Sequence, residues 1–285
     1  MSINLISFKK IIDQYRVVFF DAFGVLRTSG QTFPGTYDVL QNLKAKEKAF
    51  FIISNDASEP PLNIARKYSS SNSKHRILIS QEQIITSGML ALNYLQTQCK
   101  GKNVTYLGPE ESAYYVETSG NPNKPIMKIP DLSWPDVCMF LDDTGYDWYD
   151  ALNRLVNIVR KKKDILLLAP NPDLLYPAKD GVMIATGGLA KLIELVTNRD
   201  FINFGKPSFG IFNFAFEKAK NVFSDLKKSE ILMVGDTLAT DIKGAQDFGI
   251  DSLLVFSGNI SKSEYEAHHA DLVIRPTYCA ESIMT

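Results

Sequence analysis

One stretch near the start of the chain joins a run of buried-strand residues directly to an acid. Residues 17–20 are Val-Val-Phe-Phe, which predicts a strand buried on both faces. Asp21 follows at once, and Gly24 comes three residues later. Open parallel sheets bind ligands at the carboxyl ends of their strands, and a carboxylate buried there must be paired, hydrogen-bonded or metal-bound. Asp21 is therefore a candidate site residue, although an Asp that caps a turn is the commoner explanation of this stretch alone.

The composition bounds the class of protein. The 285 residues, 45% of them hydrophobic, suit one large domain or a core with an insertion. The 31 basic and 32 acidic residues nearly cancel, which gives no support for a nucleic-acid surface. The three cysteines show no metal-ligand spacing, and so sparse a count suggests a reducing compartment. With no apolar signal region and no run of membrane-spanning length, we expect a cytoplasmic protein that binds neither nucleic acid nor membrane.

The second predicted strand, 49–53, also ends in polar residues, Ser54 and Asn55. The order strand, helix, strand with short links predicts that it runs parallel to the first strand. Alone, Ser54 and Asn55 would be explained as turn formers. Beside Asp21, however, a hydroxyl and free backbone N–H groups can bind the oxygens of an anion.

The last third of the chain repeats this pattern. A predicted strand at 201–204 precedes Lys206, and another at 231–234 precedes Asp236 and Asp241. Lys206 is badly placed for core packing and well placed to project at a sheet edge. Helix capping explains either acid singly, but two acids that converge on one loop favour a Mg²⁺ site, because that hard ion prefers carboxylate oxygens.

The middle of the chain predicts an α/β unit of its own. Strand and helix patterns alternate through 85–188, whereas 1–84 and 189–285 predict one doubly wound parallel sheet. Segment 81–98 carries a helical apolar face, and the strand at 252–255 is expected to close the main sheet.

Two polar clusters follow predicted strands within the middle unit. Asp142-Asp143 has the composition of a metal pair, but no matching His or carboxylate motif lies nearby, so a strand-end turn is favoured. Asn171-Pro172-Asp173 is a turn signature by default.

Taken together, these residues resemble one family. In order and spacing, four groups of residues resemble the four motifs of the haloacid dehalogenase (HAD) superfamily: Asp21 with Gly24-Val25, Ser54-Asn55, Gly205-Lys206-Pro207, and Gly235-Asp236 with Asp241. The insertion between the second and third motifs resembles the class II cap of the NagD-like, or nitrophenylphosphatase-like, branch, as do Thr86-Ser87-Gly88-Met89, Asn171-Pro172-Asp173 and Val255-Phe256-Ser257-Gly258. The resemblance implies a Rossmann-like α/β core with an inserted α/β cap.

The resemblance also implies a metal-assisted phosphatase. Asp21 would be the nucleophile and form an aspartyl-phosphate. Mg²⁺ would be the cofactor, held by Asp21, Asp236 and the backbone carbonyl of Phe23. Asp241 would support the ion through water or through another ligand.

The same resemblance assigns the substrate contacts, for a small phosphorylated metabolite. Ser54 and Lys206 would hold the transferring phosphoryl oxygens. The cap would cover the site and select the substrate, and a homodimer through the cap is one arrangement compatible with the resemblance. The residues expected to bind substrate are Gly24, Asn55, Asn171 and Asp173.

Phe23 departs from the family pattern. Phosphatases of this superfamily carry a second Asp two residues after the nucleophile, which protonates the leaving group and then activates water. Phe23 can do neither, and such assistance is worth roughly a hundred- to ten-thousand-fold in rate. Three hypotheses follow: a slow or specialised phosphatase, a non-catalytic ligand-binding or regulatory protein that keeps the fold, and a hydrolase of carbon–halogen bonds, whose leaving group needs no proton.

Overall fold

The protein was analysed as a computed structural model, which describes residues 3–28, 30–68, 79–178, 181–268 and 272–285. The chain divides into two compact units. The first unit comprises Met1–Ser54, Pro61–Ile85 and Lys206–Thr285, and the second comprises Asn55–Pro60 and Thr86–Gly205. Among the described residues, no helix has the length and apolar character needed to cross a bilayer.

The regular elements alternate between strands and helices along most of the chain. The strands are β1 (Val17–Phe20), β2 (Ala49–Ser54), β3 (Ile84–Thr86), β4 (Val104–Leu107), β5 (Asn123–Pro125), β6 (Val137–Phe140), β7 (Leu166–Ala169), β8 (Leu175–Ala178), β9 (Gly181–Ile184), β10 (Ile202–Asn203), β11 (Ile231–Gly235), β12 (Asp251–Val255) and β13 (Tyr278–Ala280). The α-helices are α1 (Phe8–Ile11), α2 (Thr36–Ala45), α3 (Pro61–Arg66), α4 (Ser87–Gln98), α5 (Ala113–Glu117), α6 (Trp148–Lys161), α7 (Thr186–Thr197), α8 (Phe209–Lys220), α9 (Lys243–Phe248) and α10 (Lys262–His268).

The first unit is built on a six-stranded sheet of order β13-β12-β11-β1-β2-β3. β1 runs parallel to both of its neighbours, with Phe20 opposite Val234 on one side and Ile52 on the other. Its four side chains are fully buried, as the apolar run predicted. The chain continues outward from β1 through β2 and β3, while β11 to β13 fill the other side. The winding direction therefore reverses between β1 and β11, which is where open α/β sheets bind ligands.

Two short strands of this sheet correct the sequence-based predictions. Segment 81–98 is not one helix, because Ile84–Thr86 is β3 and the helix begins only at Ser87. The strand β12 does not close the sheet, because Tyr278–Ala280 pairs in parallel outside it. Each of the two missed strands has three residues, too few to show a strand periodicity.

The second unit is built on a five-stranded parallel sheet of order β10-β7-β6-β4-β5 and on the antiparallel hairpin of β8 and β9. β10, expected in the main sheet, pairs instead with β7, with Ile202 opposite Leu168. α7 shares a buried cluster with α6. This unit therefore extends to Gly205, and a boundary at residues 188 and 189 would divide it.

Candidate active site

The carboxyl edge of the first sheet gathers several polar residues named from the sequence. Asp21 follows β1, Ser54 ends β2 and Asp236 follows β11. Asp241 lies in a single π-helical turn, Leu238–Ile242, directly after that loop. Asp21, Asp236 and Asp241 each offer a carboxylate oxygen, and the three oxygens lie within 4.8 Å of one another.

Lys206 enters this cluster as its one buried cation among the described residues. Its Nζ donates to Oδ1 of Asp21 at 2.6 Å and to Oδ1 of Asp241 at 2.7 Å. The side chains of Lys206 and Asp241 are almost fully buried, whereas that of Asp21 keeps 15% of its surface exposed. Within the described part of the chain, no donor reaches Oδ2 of Asp21. Asp21 thus has one oxygen fixed by a cation and the other available for chemistry.

Asp241 is held from both ends of its carboxylate. Oδ1 accepts from Lys206, and Oδ2 accepts from the backbone N–H groups of Asp236 at 3.2 Å and Thr237 at 3.1 Å. Gly235 permits this approach, because a Cβ there would lie 2.2 Å from the Cβ of Asp241. Asp241 therefore fixes Lys206 and the loop after β11.

Asp236 is oriented by a ring of three residues, two of which the sequence did not single out. Thr237 Oγ1 donates to Asp236 Oδ1 at 2.9 Å, and the backbone N–H of Asn259 donates to Asp236 Oδ2 at 2.7 Å. Asn259 Nδ2 then donates to Thr237 Oγ1 at 2.8 Å and closes the ring. In the sequence, Asn259 is marked only by its position, directly after Ser257-Gly258.

Gly24, which the resemblance predicts to bind substrate, lies against the carboxylate of Asp236. A Cβ on Gly24 would lie 2.0 Å from Asp236 Oδ2, and one on Gly258 would lie 1.9 Å from the same oxygen. Gly24 also has a φ of +74°, which disfavours any side chain. Ser257 Oγ donates to the carbonyl of Gly24 at 2.6 Å and joins the two loops. The carboxylate of Asp236 therefore fits between two glycines.

The cluster holds three acids and one lysine, and the pKa values of Asp236 and Asp241 are raised. Burial, reinforced by the charge of Asp21, raises the pKa of Asp236 to about 7. Burial raises the pKa of Asp241 to about 8 even though Lys206 opposes that shift. Burial lowers the pKa of Lys206, but Asp21 and Asp241 outweigh it and raise this pKa overall. A cluster of oxygen ligands with excess negative charge fits a hard divalent cation such as Mg²⁺.

Phe23 lies two residues after Asp21, where the family resemblance implies a general acid. Its side chain is 39% exposed, and its ring centroid lies 5.5 Å from Cζ of Arg27. The phenyl ring can neither donate nor accept a proton, so this position supplies no acid–base catalysis.

The other expected substrate residues meet in the second unit. Asn55 Nδ2 donates to Asp173 Oδ1 at 3.0 Å, and the backbone N–H of Asp173 donates to Asn171 Oδ1 at 2.9 Å. Ser87 Oγ donates to the carbonyl of Asn55 at 2.8 Å, and a Cβ on Gly205 would lie 2.5 Å from Asn55 Oδ1. Asn55, Asn171 and Asp173 thus form one hydrogen-bonded group.

Comparison with known proteins identifies the family. Residues 18–121 match the model of the haloacid dehalogenase-like hydrolases, and residues 203–285 match a second, HAD-hydrolase-like model. The crystal structure of a possible sugar phosphatase of the HAD superfamily from Cytophaga hutchinsonii is 37% identical, with a TM-score of 0.92 over 100% of this chain and 99% of that one. The chain therefore belongs to the HAD superfamily of hydrolases.

Two more distant relatives match most of this chain. The dihydroxyacetone phosphatase of Corynebacterium glutamicum is 24% identical over 92% of this chain and 87% of its own length. The glycerol phosphate phosphatase of Mycobacterium tuberculosis, crystallised in complex with magnesium, is 23% identical. It aligns with a TM-score of 0.77 over 98% of this chain and 78% of its own, which shows a shared fold.

Proposed function

We propose that this protein is a Mg²⁺-dependent phosphatase that hydrolyses a small phosphorylated metabolite through an aspartyl-phosphate on Asp21. The observation that carries the proposal is the Asp21 carboxylate, with one oxygen on buried Lys206 and the other without a donor in the described chain. The relatives named as phosphatases of dihydroxyacetone phosphate and glycerol phosphate support this reaction class.

Asp21, Asp236 and the backbone carbonyl of Phe23 would hold the metal ion. When bound, Mg²⁺ neutralises charge on the phosphoryl oxygens. Thr237 and Asn259 keep the Asp236 carboxylate pointed at the site. Asp241 would hold Lys206 in place rather than bind the ion directly, because hydrogen bonds already engage both of its oxygens.

Asp21 Oδ2 would attack the phosphorus, forming the Asp21–phosphorus bond as the bond to the leaving oxygen breaks. The cation of Lys206 reduces the repulsion between Asp21 and the anionic phosphoryl group. The hydroxyl of Ser54 would donate to a phosphoryl oxygen. Water then attacks the aspartyl-phosphate, releasing inorganic phosphate and regenerating the Asp21 carboxylate.

Phe23 shapes the substrate preference within this proposal. With no acid at this position, the leaving oxygen departs without a proton from residue 23, so activity depends steeply on leaving-group acidity. Nitrophenyl phosphate should turn over far better than an alkyl phosphate. Replacing the phenyl ring with a carboxyl group in Phe23→Asp should restore much of the alkyl-phosphate activity.

The test compares wild type with Asp21→Asn on nitrophenyl phosphate, with millimolar Mg²⁺ and with chelator. Wild type should hydrolyse nitrophenyl phosphate only with the metal and should form a phosphoenzyme. Asp21→Asn should neither hydrolyse the ester nor form a phosphoenzyme. Asp225→Asn is the matched control, because Asp225 is a surface acid of the same unit paired with Arg16. An active Asp21→Asn variant would exclude the aspartyl-phosphate.

The remaining hypotheses predict other results in the same assay. A binding protein would bind phosphate esters without turnover and without a phosphoenzyme. A dehalogenase would release halide from a 2-haloacid through Asp21 without any metal.

A further inference from the structure

Arg27 is buried beside the candidate active site among aromatic rings rather than acids. The residue is only 7% exposed. Its guanidinium carbon lies 5.5 Å from the ring centroid of Phe23 and 5.5 Å from that of Tyr68. Both distances lie within the range of cation–π contacts. Two aromatic rings therefore fix the position of the guanidinium.

The hydrogen bonds of this guanidinium are incomplete. Nε donates to the carbonyl of Thr28 at 3.1 Å. No other side-chain hydrogen bond or ion pair of Arg27 occurs among the described residues, which leaves the donors of both terminal nitrogens unused. The two terminal nitrogens are also not sealed from solvent. An arginine cannot lose its charge when buried, so a missing anionic partner points to an anion that arrives with a ligand.

Backbone hydrogen bonds tie Arg27 to the loop of the nucleophile. Its N–H donates to the carbonyl of Ala22 at 3.1 Å, and the N–H of Gly24 donates to its carbonyl at 2.9 Å. The side chain therefore belongs to the same tight turn that follows Asp21. An anion bound by the guanidinium would therefore be held by the same turn that follows Asp21.

We propose that Arg27 binds a carboxylate on the part of the substrate that is not transferred, so that the substrate preferred among alkyl phosphates is a phosphate ester of a hydroxy acid. This inference rests on the proposed phosphatase function. Because Nε is engaged by Thr28, the terminal nitrogens present their paired N–H groups end-on. That planar fork matches the two oxygens of a carboxylate, whereas a neutral hydroxyl satisfies only one donor.

Binding is tested first, with ligands that cannot turn over. Phosphonoacetate and 2-hydroxyethylphosphonate differ only in carrying a carboxylate or a hydroxymethyl group. Thermal shifts titrated with each in Mg²⁺ buffer should give wild type an affinity about 10- to 100-fold higher for phosphonoacetate. Equal affinities would overturn the proposal without any variant.

Variants then assign that preference to the residue. In Arg27→Gln the preference should fall to about one, and Arg27→Lys should keep a smaller part of it, because the charge remains without the fork. Arg16→Gln is the matched control, since Arg16 also stacks on a ring, that of Phe223 at 4.5 Å, but already pairs with Asp225. An unchanged preference in folded Arg27→Gln would overturn the proposal.

A measurement on wild type covers the case in which neither variant folds. Phenylglyoxal labels accessible arginines, and mass spectrometry of the digested protein locates the label. Phosphonoacetate should protect Arg27 from labelling, and 2-hydroxyethylphosphonate should not. Equal labelling of Arg27 with both ligands would contradict the inference.

Turnover separates this inference from the proposed function. Wild type should hydrolyse 2-phosphoglycolate about 10- to 100-fold better than 2-hydroxyethyl phosphate in kcat/KM, and Arg27→Gln should lose this ratio. Asp21-dependent nitrophenyl phosphate hydrolysis with no preference for the carboxylate would refute the role of Arg27 alone. Selective phosphonoacetate binding with no turnover of any ester would refute the phosphatase and retain the anion site.

Discussion

The two parallel sheets place acids at the same position and stabilise them differently. Past the carboxyl ends of the first sheet, Asp21 and Asp241 bind the buried ammonium group of Lys206. Past β6 of the second sheet, Asp142 accepts hydrogen bonds from Thr144, and Asp143 accepts one from the hydroxyl of Tyr176 at 3.1 Å. The topology accounts for the acids at both edges, but within the described ranges only the first edge combines them with a buried cation.

At the edge of the second sheet, the pKa values of both acids are raised. Burial, reinforced by Asp143 and Asp56, raises the pKa of Asp142 to about 6. Burial also raises the pKa of Asp143, although the Tyr176 hydroxyl opposes the shift. Hydroxyls and backbone N–H groups therefore hold these acids in a turn without fully compensating their charge. A strand-end turn, favoured from the sequence, describes Asp142 correctly.

The largest effect should come from removing the cation in Lys206→Met. Three acids would lose their counter-charge, so we expect at least a thousandfold loss of activity and destabilisation of about 3–5 kcal/mol at pH 8. Urea unfolding and nitrophenyl phosphate assays measure both. Lys162→Met is the control, because Lys162 pairs with Asp136 at a partly exposed site and should cost less than about 1 kcal/mol.

The pH dependence of that loss follows from the raised pKa values of Asp236, about 7, and Asp241, about 8. A carboxyl group with a raised pKa in the folded state favours folding at low pH, and this contribution is lost as the pH rises through the folded pKa. Without Lys206, the ionised acids repel one another more strongly. In metal-free buffer the deficit should therefore grow from pH 5 to pH 9, and a constant deficit would contradict this account.

A smaller effect is expected from Thr237→Val, which opens the ring around Asp236. The carboxylate would lose one donor, so the Mg²⁺ concentration for half-maximal stabilisation in thermal melts should rise about 10- to 100-fold. Thr240→Val is the control, because Thr240 lies in the same π-helical turn and its hydroxyl makes no hydrogen bond among the described residues. Equal metal responses in the two variants would remove Thr237 from the site.

The smallest effect is expected from Asp142→Asn, which tests how the acid at the edge of the second sheet affects stability. Asn keeps the oxygen that accepts from Thr144 but cannot ionise. Because the pKa of Asp142 is raised from 3.8 to about 6, the ionised form penalises folding at neutral pH. The variant should be about 1–2 kcal/mol more stable than wild type at pH 7.5, with the difference vanishing near pH 3.5.

Asp131→Asn is the matched control for that substitution. Asp131 makes the same kind of turn with Ser133, but it is exposed, and this hydrogen bond lowers its pKa. Its substitution should therefore give no stabilisation at pH 7.5. Stabilisation of both variants would mean that burial does not distinguish the two turns.

The sequence could predict which residues reach the first edge but not how they pair. Asp21, Ser54 and Asp236 each follow an apolar strand, so their positions depend only on recognising strands and their parallel order. The contact of Lys206 with Asp241 depends on a π-helical turn and on the missing Cβ of Gly235. Neither feature has a periodicity that a single sequence displays.

Short elements and isolated polar residues account for the remaining differences. β3, β10 and β13 have two or three residues each, and only their neighbours in the sheet define them as strands. In the sequence, Arg27 and Asn259 are indistinguishable from solvated loop residues. Their roles depend on ring contacts and on a ring of hydrogen bonds that only the folded chain forms.

The contact between Ser257 and Gly24 has a consequence for how the protein is made. The two residues are separated by 233 positions, and Lys206 is separated from Asp21 by 185. A ribosome therefore releases β1 long before β11, its neighbour in the centre of the sheet, has been synthesised. Such distant pairing folds slowly and leaves a strand edge exposed to aggregation or chaperones. A chain interrupted during translation before residue 206 would carry Asp21 without Lys206, Asp236 or the loop that orients the carboxylate of Asp236, and so would lack most of the candidate site.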